Sequence, residues 1–193
     1  MKSMTSQVFI TIFAVCILFI GAMANQPSAD KIQNFTLPDY NGEMHSLTDY
    51  KDSKAIVIIF VATECPVSNA YNTRMENLYK EYNSKGVVFL GINSNKAESA
   101  ERVKEHADEN GLTFTILKDK NNVVADELDA SVTPEVYVVN NNFEVLYHGR
   151  IDNSKNESDV ETQDLKIALD EILSGKEVTK NTTKAFGCSI KRV

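Results

Sequence analysis

Two uninterrupted runs of apolar residues dominate the pattern of hydrophobic and polar positions along the chain. They are Ala55–Val61 and Val87–Ile92. Each run is rich in β-branched residues, which predicts a strand buried on both faces. Between them, apolar residues recur on one side of a predicted helix: Val67, Tyr71, Met75, Leu78 and Tyr82.

The middle of the chain continues the alternation of strands and helices. We expect the next helix to be capped by Ser94 or Asn95 and to end at Asn110-Gly111, since Asn and Gly favour helix ends. Residues 113–117 predict a third strand, and residues 123–128 predict a short helix. Two successive strand–helix–strand units predict a parallel core.

Hairpins are predicted on both sides of this core. Asn41-Gly42 predicts a turn between strands at Gln33–Leu37 and Glu43–Ser46, because both turn positions tolerate positive φ. Near the other end, the apolar strand Glu135–Val139 leads through a second hairpin into Phe143–His148. A capping box at residues 158–161 predicts the start of the last helix, which we expect to end at Gly175.

Composition limits the possible partners and the compartment. The 193 residues suffice for one domain, and a net charge of −7 argues against nucleic acid as a partner. Residues 1–24 resemble a signal peptide, with Lys2, an apolar core and a small-residue cleavage pattern at Ala22-Met23-Ala24. We therefore expect a secreted or periplasmic protein with a domain at residues 25–175 and a tail at residues 176–193 that carries Cys188.

Cys65 is the residue with the clearest chemical potential. It precedes Pro66, which suits the first helical position, so Cys65 is predicted at the helix N-cap. Unpaired backbone N–H groups at a helix start favour a thiolate over a thiol. Glu64 opposes this effect through its charge, and the alternative is a buried, inert cysteine.

The segment Phe60-Val-Ala-Thr-Glu-Cys65-Pro-Val-Ser68 resembles the strand-to-helix active site of the thioredoxin-like redoxins. This family includes the extracytoplasmic thiol–disulfide oxidoreductases and the alkyl hydroperoxide reductase/thiol-specific antioxidant group. Residues 35–42, 131–138 and 147–152 resemble the family's N-terminal hairpin, its cis-proline segment and the end of its last strand. The resemblance implies an α/β, thioredoxin-like fold with a central mixed sheet, flanking helices and an N-terminal β-hairpin.

The resemblance also implies a set of site residues. Cys65 is the implied nucleophile, Pro134 the implied cis-proline, and Thr133 the residue that offers backbone hydrogen bonds to a bound peptide. Ser68 could donate a hydrogen bond to the thiolate, and Thr63 could shape the pocket. Arg150 could orient a substrate or stabilise the thiolate; the alternative is a solvated arginine paired with Asp152.

The chain departs from the family at two points. Thioredoxins have a second cysteine where this sequence has Ser68, and typical peroxiredoxins have Pro and Thr or Ser where it has Ile58 and Ala62. A site with one cysteine needs a second thiol from elsewhere. Cys188 is within reach of Cys65 and could be a resolving thiol, a permanent disulfide partner or a free tail cysteine. We favour the resolving thiol.

The sequence therefore predicts a thiol–disulfide oxidoreductase that uses Cys65 and Cys188, with thiols or disulfides as substrates and an unidentified reductant. The alternative is a thiol peroxidase that reduces hydroperoxides at Cys65. A third possibility is a non-catalytic binding module or copper carrier. No cofactor or metal is expected, since His45, His106 and His148 have no ligand spacing and are expected at the surface.

Overall fold

The computed structural model describes residues 31–193, which form an α/β fold around a mixed sheet. The strands are β1 (Thr36–Pro38), β2 (Met44–Ser46), β3 (Ala55–Phe60), β4 (Val87–Asn93), β5 (Thr115–Lys118), β6 (Val132–Thr133), β7 (Glu135–Val139), β8 (Val145–Gly149) and β9 (Cys188–Ser189). The α-helices are α1 (Pro66–Asn69), α2 (Asn72–Asn83), α3 (Ala100–Asn110), α4 (Val123–Glu127) and α5 (Asp164–Leu173).

The central sheet has the strand order β5-β4-β3-β7-β8. Strands β3, β4 and β5 are parallel, whereas β7 is antiparallel to β3 and β8 is antiparallel to β7. Every residue of β3 is buried, because helices and connecting segments cover both faces of the sheet. The predicted mixed α/β sheet with flanking helices is thus confirmed, including its parallel core.

The N-terminal hairpin is also confirmed. Strands β1 and β2 pair antiparallel, and Gly42 occupies the turn at φ +88°. Backbone N–H groups of Asn41 and Glu43 donate to the Asp39 carboxylate at 2.8 and 2.9 Å, which closes the turn. The hairpin contacts the edge of the main sheet through β1 and β5.

Two predicted helix starts are wrong. The cap of α3 is Ser99 rather than Ser94 or Asn95, because the segment between β4 and α3 forms a turn in which the Glu98 N–H donates to the Asn95 carbonyl at 3.3 Å. Helix α5 begins at Asp164, and the predicted capping box at residues 158–161 lies in a 3₁₀ turn before it. The predicted C-terminal ends of α3 and α5 are confirmed, since Gly111 and Gly175, which follow these helices, both adopt positive φ.

The tail beyond α5 packs on the domain along its length. The Asn181 carbonyl accepts from the His148 N–H, so the tail first runs beside β8. It then crosses to form β9 against β6, and Ile190 is buried in the core cluster that contains β3. The predicted signal peptide lies outside the described residues. Among residues 31–193, no helix is both long and apolar enough to cross a membrane.

A large-to-small change in β3 tests the core. Ile59 is fully buried, so Ile59→Ala should lower the free energy of unfolding by about 2–5 kcal/mol through lost burial and a cavity. Ile167 is 49% exposed in α5, and Ile167→Ala should cost less than about 0.5 kcal/mol. Denaturant unfolding of both variants measures the difference. Equal losses would contradict the assignment of β3 to the core.

Candidate active site

Cys65 lies at the end of β3, where the chain turns into α1. It is the N-cap of α1, with extended backbone angles, and Pro66 occupies the first helical turn as predicted. The Ser68 N–H donates to the Cys65 sulfur at 3.2 Å. Cys65 is only 4% exposed, so a substrate can reach its sulfur only when the segments that cover it move away.

Cys188 covers Cys65, and the two form a disulfide across 123 residues of chain with their Cα atoms 5.8 Å apart. The pairing follows from the backbone, because β9 lies antiparallel to β6 with Cys188 opposite Thr133. The Ile190 N–H donates to the Ser131 carbonyl at 3.0 Å and extends this pairing. The structure therefore brings together the two cysteines singled out by the sequence.

Thr133 and Pro134 lie beneath the tail, and Thr133 pairs with Cys188. Their peptide bond is cis, as the resemblance implies. The Thr133 carbonyl oxygen lies 3.4 Å from the Cys65 sulfur, so the cis-proline segment faces this cysteine directly. Gly187 crosses the same carbonyl so closely that a Cβ at residue 187 would collide with it. A glycine before Cys188 is therefore what permits the tail to lie flat on this segment.

Three predicted binding residues lie on the segments next to the disulfide. The Ser68 hydroxyl accepts from the Ala62 N–H at 3.2 Å, and the Ser68 backbone N–H donates to the Cys65 sulfur. Donation from the Ser68 hydroxyl to a Cys65 thiolate stays a prediction. The hydroxyls of Thr63 and Thr133 are buried and have no hydrogen-bond partner among the described residues. A substrate contact by either hydroxyl stays a prediction.

Arg150 is held elsewhere. Its Nε donates to Asp164 at 2.8 Å, and Asp164 also accepts from Lys180 at 2.9 Å. The alternative pairing with Asp152 is wrong, because Asp152 is the partner of the buried Arg74 and of the Tyr71 hydroxyl. A substrate contact by Arg150 stays a prediction that would require the ion pair with Asp164 to open.

Sequence reasoning missed Glu98. Its carboxylate is 3% exposed and accepts from the backbone N–H groups of Thr63 at 2.8 Å and Glu64 at 3.2 Å. Glu98 thus holds the segment immediately before Cys65. The available signal was an acidic residue in a polar stretch that follows a buried strand. The same polar stretch predicts a helix cap at Ser94 or Asn95 and gives Glu98 no role of its own.

Glu135 follows the cis-proline and supports the loop under the tail. Its buried carboxylate accepts from His148 Nε2 at 2.7 Å and from the backbone N–H groups of Ser131 and Val132 at 2.8 and 3.2 Å. Burial acts to raise the pKa of Glu135, but these hydrogen bonds outweigh it and lower the pKa below its ordinary value of 4.5. The contacts of Glu135 therefore favour the ionised form of its carboxyl group.

The histidines do not join the cysteines. Among the described residues, the one group of side chains at metal-ligand spacing is Asp39, Glu43 and His45 in the N-terminal hairpin, and it contains neither cysteine. His106 was expected at the surface and is instead 7% exposed, beside Asn72 at 3.1 Å. Polar partners on α2 and α3 make its burial possible.

Comparisons with known proteins agree with this geometry. The model of the AhpC/TSA family matches residues 28–152, which include Cys65 and Pro134 and end before the tail. A crystal structure of hypothetical protein SMc02350 from Sinorhizobium meliloti 1021 superposes with a TM-score of 0.81 at 30% identity. The alignment covers 86% of this chain and 95% of that one.

Two curated relatives carry functional names. Thiol-disulfide oxidoreductase ResA from Halalkalibacterium halodurans is 30% identical over 119 residues, which are 62% of this chain and 66% of ResA. A bcp protein of Coxiella burnetii with a peroxiredoxin name is 31% identical over 98 residues, 51% of this chain and 63% of that protein. The chain thus spans just under two thirds of the length of these relatives.

The ionised Glu135 should give the fold a defined pH dependence. Because its pKa is lower in the folded protein than in the unfolded chain, its contribution is fully present above the ordinary value of 4.5. That contribution disappears as the pH falls through the lower, folded value. Glu135→Gln should therefore destabilise the protein at neutral pH, and its deficit should shrink in acid.

Denaturant unfolding between neutral pH and about pH 3 measures this dependence. The control is Glu105→Gln, which removes a carboxylate that is 67% exposed and should leave the pH profile unchanged. A deficit for Glu135→Gln that is the same at every pH would contradict the assigned role.

Proposed function

The chain belongs to the AhpC/TSA family, and on that premise we propose that it is an extracytoplasmic thiol–disulfide oxidoreductase. The observation that carries the proposal is the disulfide between Cys65 and Cys188 beside the cis-proline segment. It supplies the nucleophile and the second thiol that a site without Cys-x-x-Cys otherwise lacks. The likeness to ResA supports the same reaction.

The reduced protein begins the reaction. The Cys65 thiolate, stabilised by the Ser68 N–H, attacks one sulfur of a substrate disulfide. A bond forms between the two sulfurs, the substrate disulfide breaks, and the released substrate thiolate takes a proton from water. The Cys188 thiolate then attacks the Cys65 sulfur and releases the second substrate thiol. The substrate gains two electrons, and the protein is left with the Cys65–Cys188 disulfide.

An external dithiol must then restore the reduced form. Cys188 is half-buried, whereas Cys65 is buried, so the reductant meets the Cys188 sulfur first. Its attack there releases Cys65 as the leaving group. Departure of Cys65 is favoured because the Ser68 N–H stabilises the thiolate that forms on its sulfur. We therefore propose that the reductant forms its mixed disulfide with Cys188.

Substrate binding requires the tail to leave the cis-proline segment. In the disulfide form β9 occupies the backbone edge of Thr133, which in the reduced form becomes available to an extended segment of a protein substrate. The hydroxyls of Thr63 and Thr133, which are buried and have no hydrogen-bond partner within residues 31–193, can contact the incoming chain once the tail has left. We assign Ser68 and Pro134 to the same surface, and Arg150 only if it separates from Asp164.

A peroxidase is the second candidate. The buried Cys65 thiolate could attack a hydroperoxide, which would release an alcohol and leave a sulfenic acid. Cys188 would condense with this group and release water. The position of Cys188 and the likeness to a protein with a peroxiredoxin name support this reading. Ile58 and Ala62 stand against it, because they replace the residues of the usual peroxiredoxin signature.

Trapping the intermediate tests the proposal. Reduced Cys188→Ser protein, mixed with a synthetic peptide that contains a disulfide, should accumulate a peptide adduct at Cys65. The adduct should persist at least about tenfold longer than in the wild type, because no second thiol is left to release it. Non-reducing mass spectrometry identifies the adduct and its position.

Two variants serve as controls. Cys65→Ser in the same Cys188→Ser background should form no adduct at residue 65, and Ser189→Ala should release the peptide like the wild type, since its resolving thiol is intact. Absence of any adduct in Cys188→Ser, together with rapid sulfenic acid formation on addition of hydrogen peroxide, would replace the oxidoreductase by the peroxidase. Inertness of Cys65 toward both reagents would favour a binding module.

A further inference from the structure

The carboxylate of Glu98 contacts the loop before Cys65 and is linked through Asn95 to the segment that carries Cys188. Each oxygen accepts one backbone N–H from the loop before Cys65: Oε2 from Thr63 and Oε1 from Glu64. Each also accepts one side-chain amide: Oε2 from Asn93 at 2.5 Å and Oε1 from Asn95 at 2.9 Å. Four donors therefore converge on one group that is almost fully buried.

Asn95 continues the contact to the tail. Its Oδ1 accepts from the Lys191 backbone N–H at 2.7 Å, and Lys191 lies three residues beyond Cys188. The Lys96 N–H donates to the Lys191 carbonyl at 2.8 Å beside it. A chain of hydrogen bonds thus runs from the loop before Cys65, through Glu98 and Asn95, to the strand that carries Cys188.

We propose that Glu98 is a positioning residue that couples these two segments and so sets how readily Cys65 and Cys188 pair. The proposal rests on the proposed thiol–disulfide function and goes beyond it, because it names a residue that contacts neither sulfur. It assigns the closeness of the two thiols to a buried hydrogen-bond chain in addition to the β6–β9 pairing.

The direction of the hydrogen bonds explains why residue 98 is acidic. The Lys191 N–H can only donate, so the Asn95 oxygen must face it and the Asn95 amide must face Glu98. The Glu64 N–H also donates to Oε1 of Glu98, the oxygen that the Asn95 amide faces. Residue 98 must therefore present acceptors on both sides, and a carboxylate does so while an amide cannot. If Asn95 turned over to suit an amide, its NH₂ would face the Lys191 N–H.

Lys118 makes the buried negative charge tolerable. Its Nζ donates to Asn93 Oδ1 and to the Asn95 carbonyl, both at 2.7 Å, and thereby holds the two amide residues that contact Glu98. Burial lowers the pKa of Lys118, while the nearby charges of Glu98 and Asp119 oppose this shift. The Lys118 cation thus holds the same hydrogen-bond network in place through Asn93 and Asn95.

The test measures the equilibrium between the Cys65–Cys188 disulfide and glutathione, on full-length folded protein. Glu98→Gln should lower the effective concentration of Cys188 at Cys65 by about tenfold, the size expected for loss of one charge-assisted hydrogen bond. The matched control, Glu105→Gln, removes an exposed carboxylate of α3 and should leave this value unchanged. A merely structural role would lower the unfolding midpoint of Glu98→Gln and leave the equilibrium of the folded protein unchanged.

A second pair of variants tests the link without touching the buried carboxylate. Lys191→Pro removes the backbone N–H that Asn95 accepts together with the lysine side chain and fixes φ, whereas Lys191→Ala removes the side chain and keeps the N–H. Lys191→Pro should reproduce the fall and Lys191→Ala should not, even if Glu98→Gln fails to fold. In the double variant Glu98→Gln/Lys191→Pro, the fall in effective concentration should be no larger than in either single variant. Both substitutions interrupt the same chain of hydrogen bonds, so the second has nothing further to break.

The outcomes separate the two proposals. If the wild-type disulfide exchanges with glutathione but Glu98→Gln and Lys191→Pro behave like the wild type, the coupling is overturned and the proposed function survives. If the two effects multiply, Glu98 and the tail act independently and the coupling is also overturned. If the wild-type disulfide remains intact at every glutathione ratio, the proposed function fails and this inference fails with it.

Discussion

The antiparallel pairing between Val132–Thr133 and Cys188–Ser189 is the interaction on which the site depends, because it carries a cysteine from the end of the chain to one at the first helix. The cis peptide at Thr133–Pro134 presents the edge that this strand uses, and Gly187 lets the two backbones approach. Glu135 holds the loop beneath the strand, and the chain from Asn95 to Glu98 holds its far end. The reactive pair is therefore assembled by backbone contacts more than by the cysteines themselves.

The fold could be predicted because its main signal is local. A strand covered on both faces must be apolar throughout, so Ala55–Val61 and Val87–Ile92 were visible as runs. Cys65 and Pro66 marked the helix start for an equally local reason. Two of the three open interpretations of Cys188 pair it with Cys65, and the disulfide excludes the third, a free tail cysteine; reach alone does not choose among them.

The rest of the site depends on contacts between distant parts of the chain, which composition and spacing do not encode. Arg150 could have faced the cysteines, but Asp164 lies closer and pairs with it. Glu98 and Thr63 are far apart in sequence and meet only because β3 and β4 end at the same edge of the sheet. The contact between the Ala62 N–H and the Ser68 hydroxyl likewise depends on the fold, and spacing does not indicate it.

The central claim is that Cys65 reacts with disulfides and Cys188 completes the reaction. Quenched-flow oxidation of the fully reduced protein tests it most directly, with equal concentrations of a disulfide peptide or hydrogen peroxide and mass-spectrometric analysis of Cys65. The account predicts faster oxidation by the peptide, ending in the Cys65–Cys188 disulfide and a reduced peptide. Faster oxidation by hydrogen peroxide would contradict it and would identify a peroxidase instead.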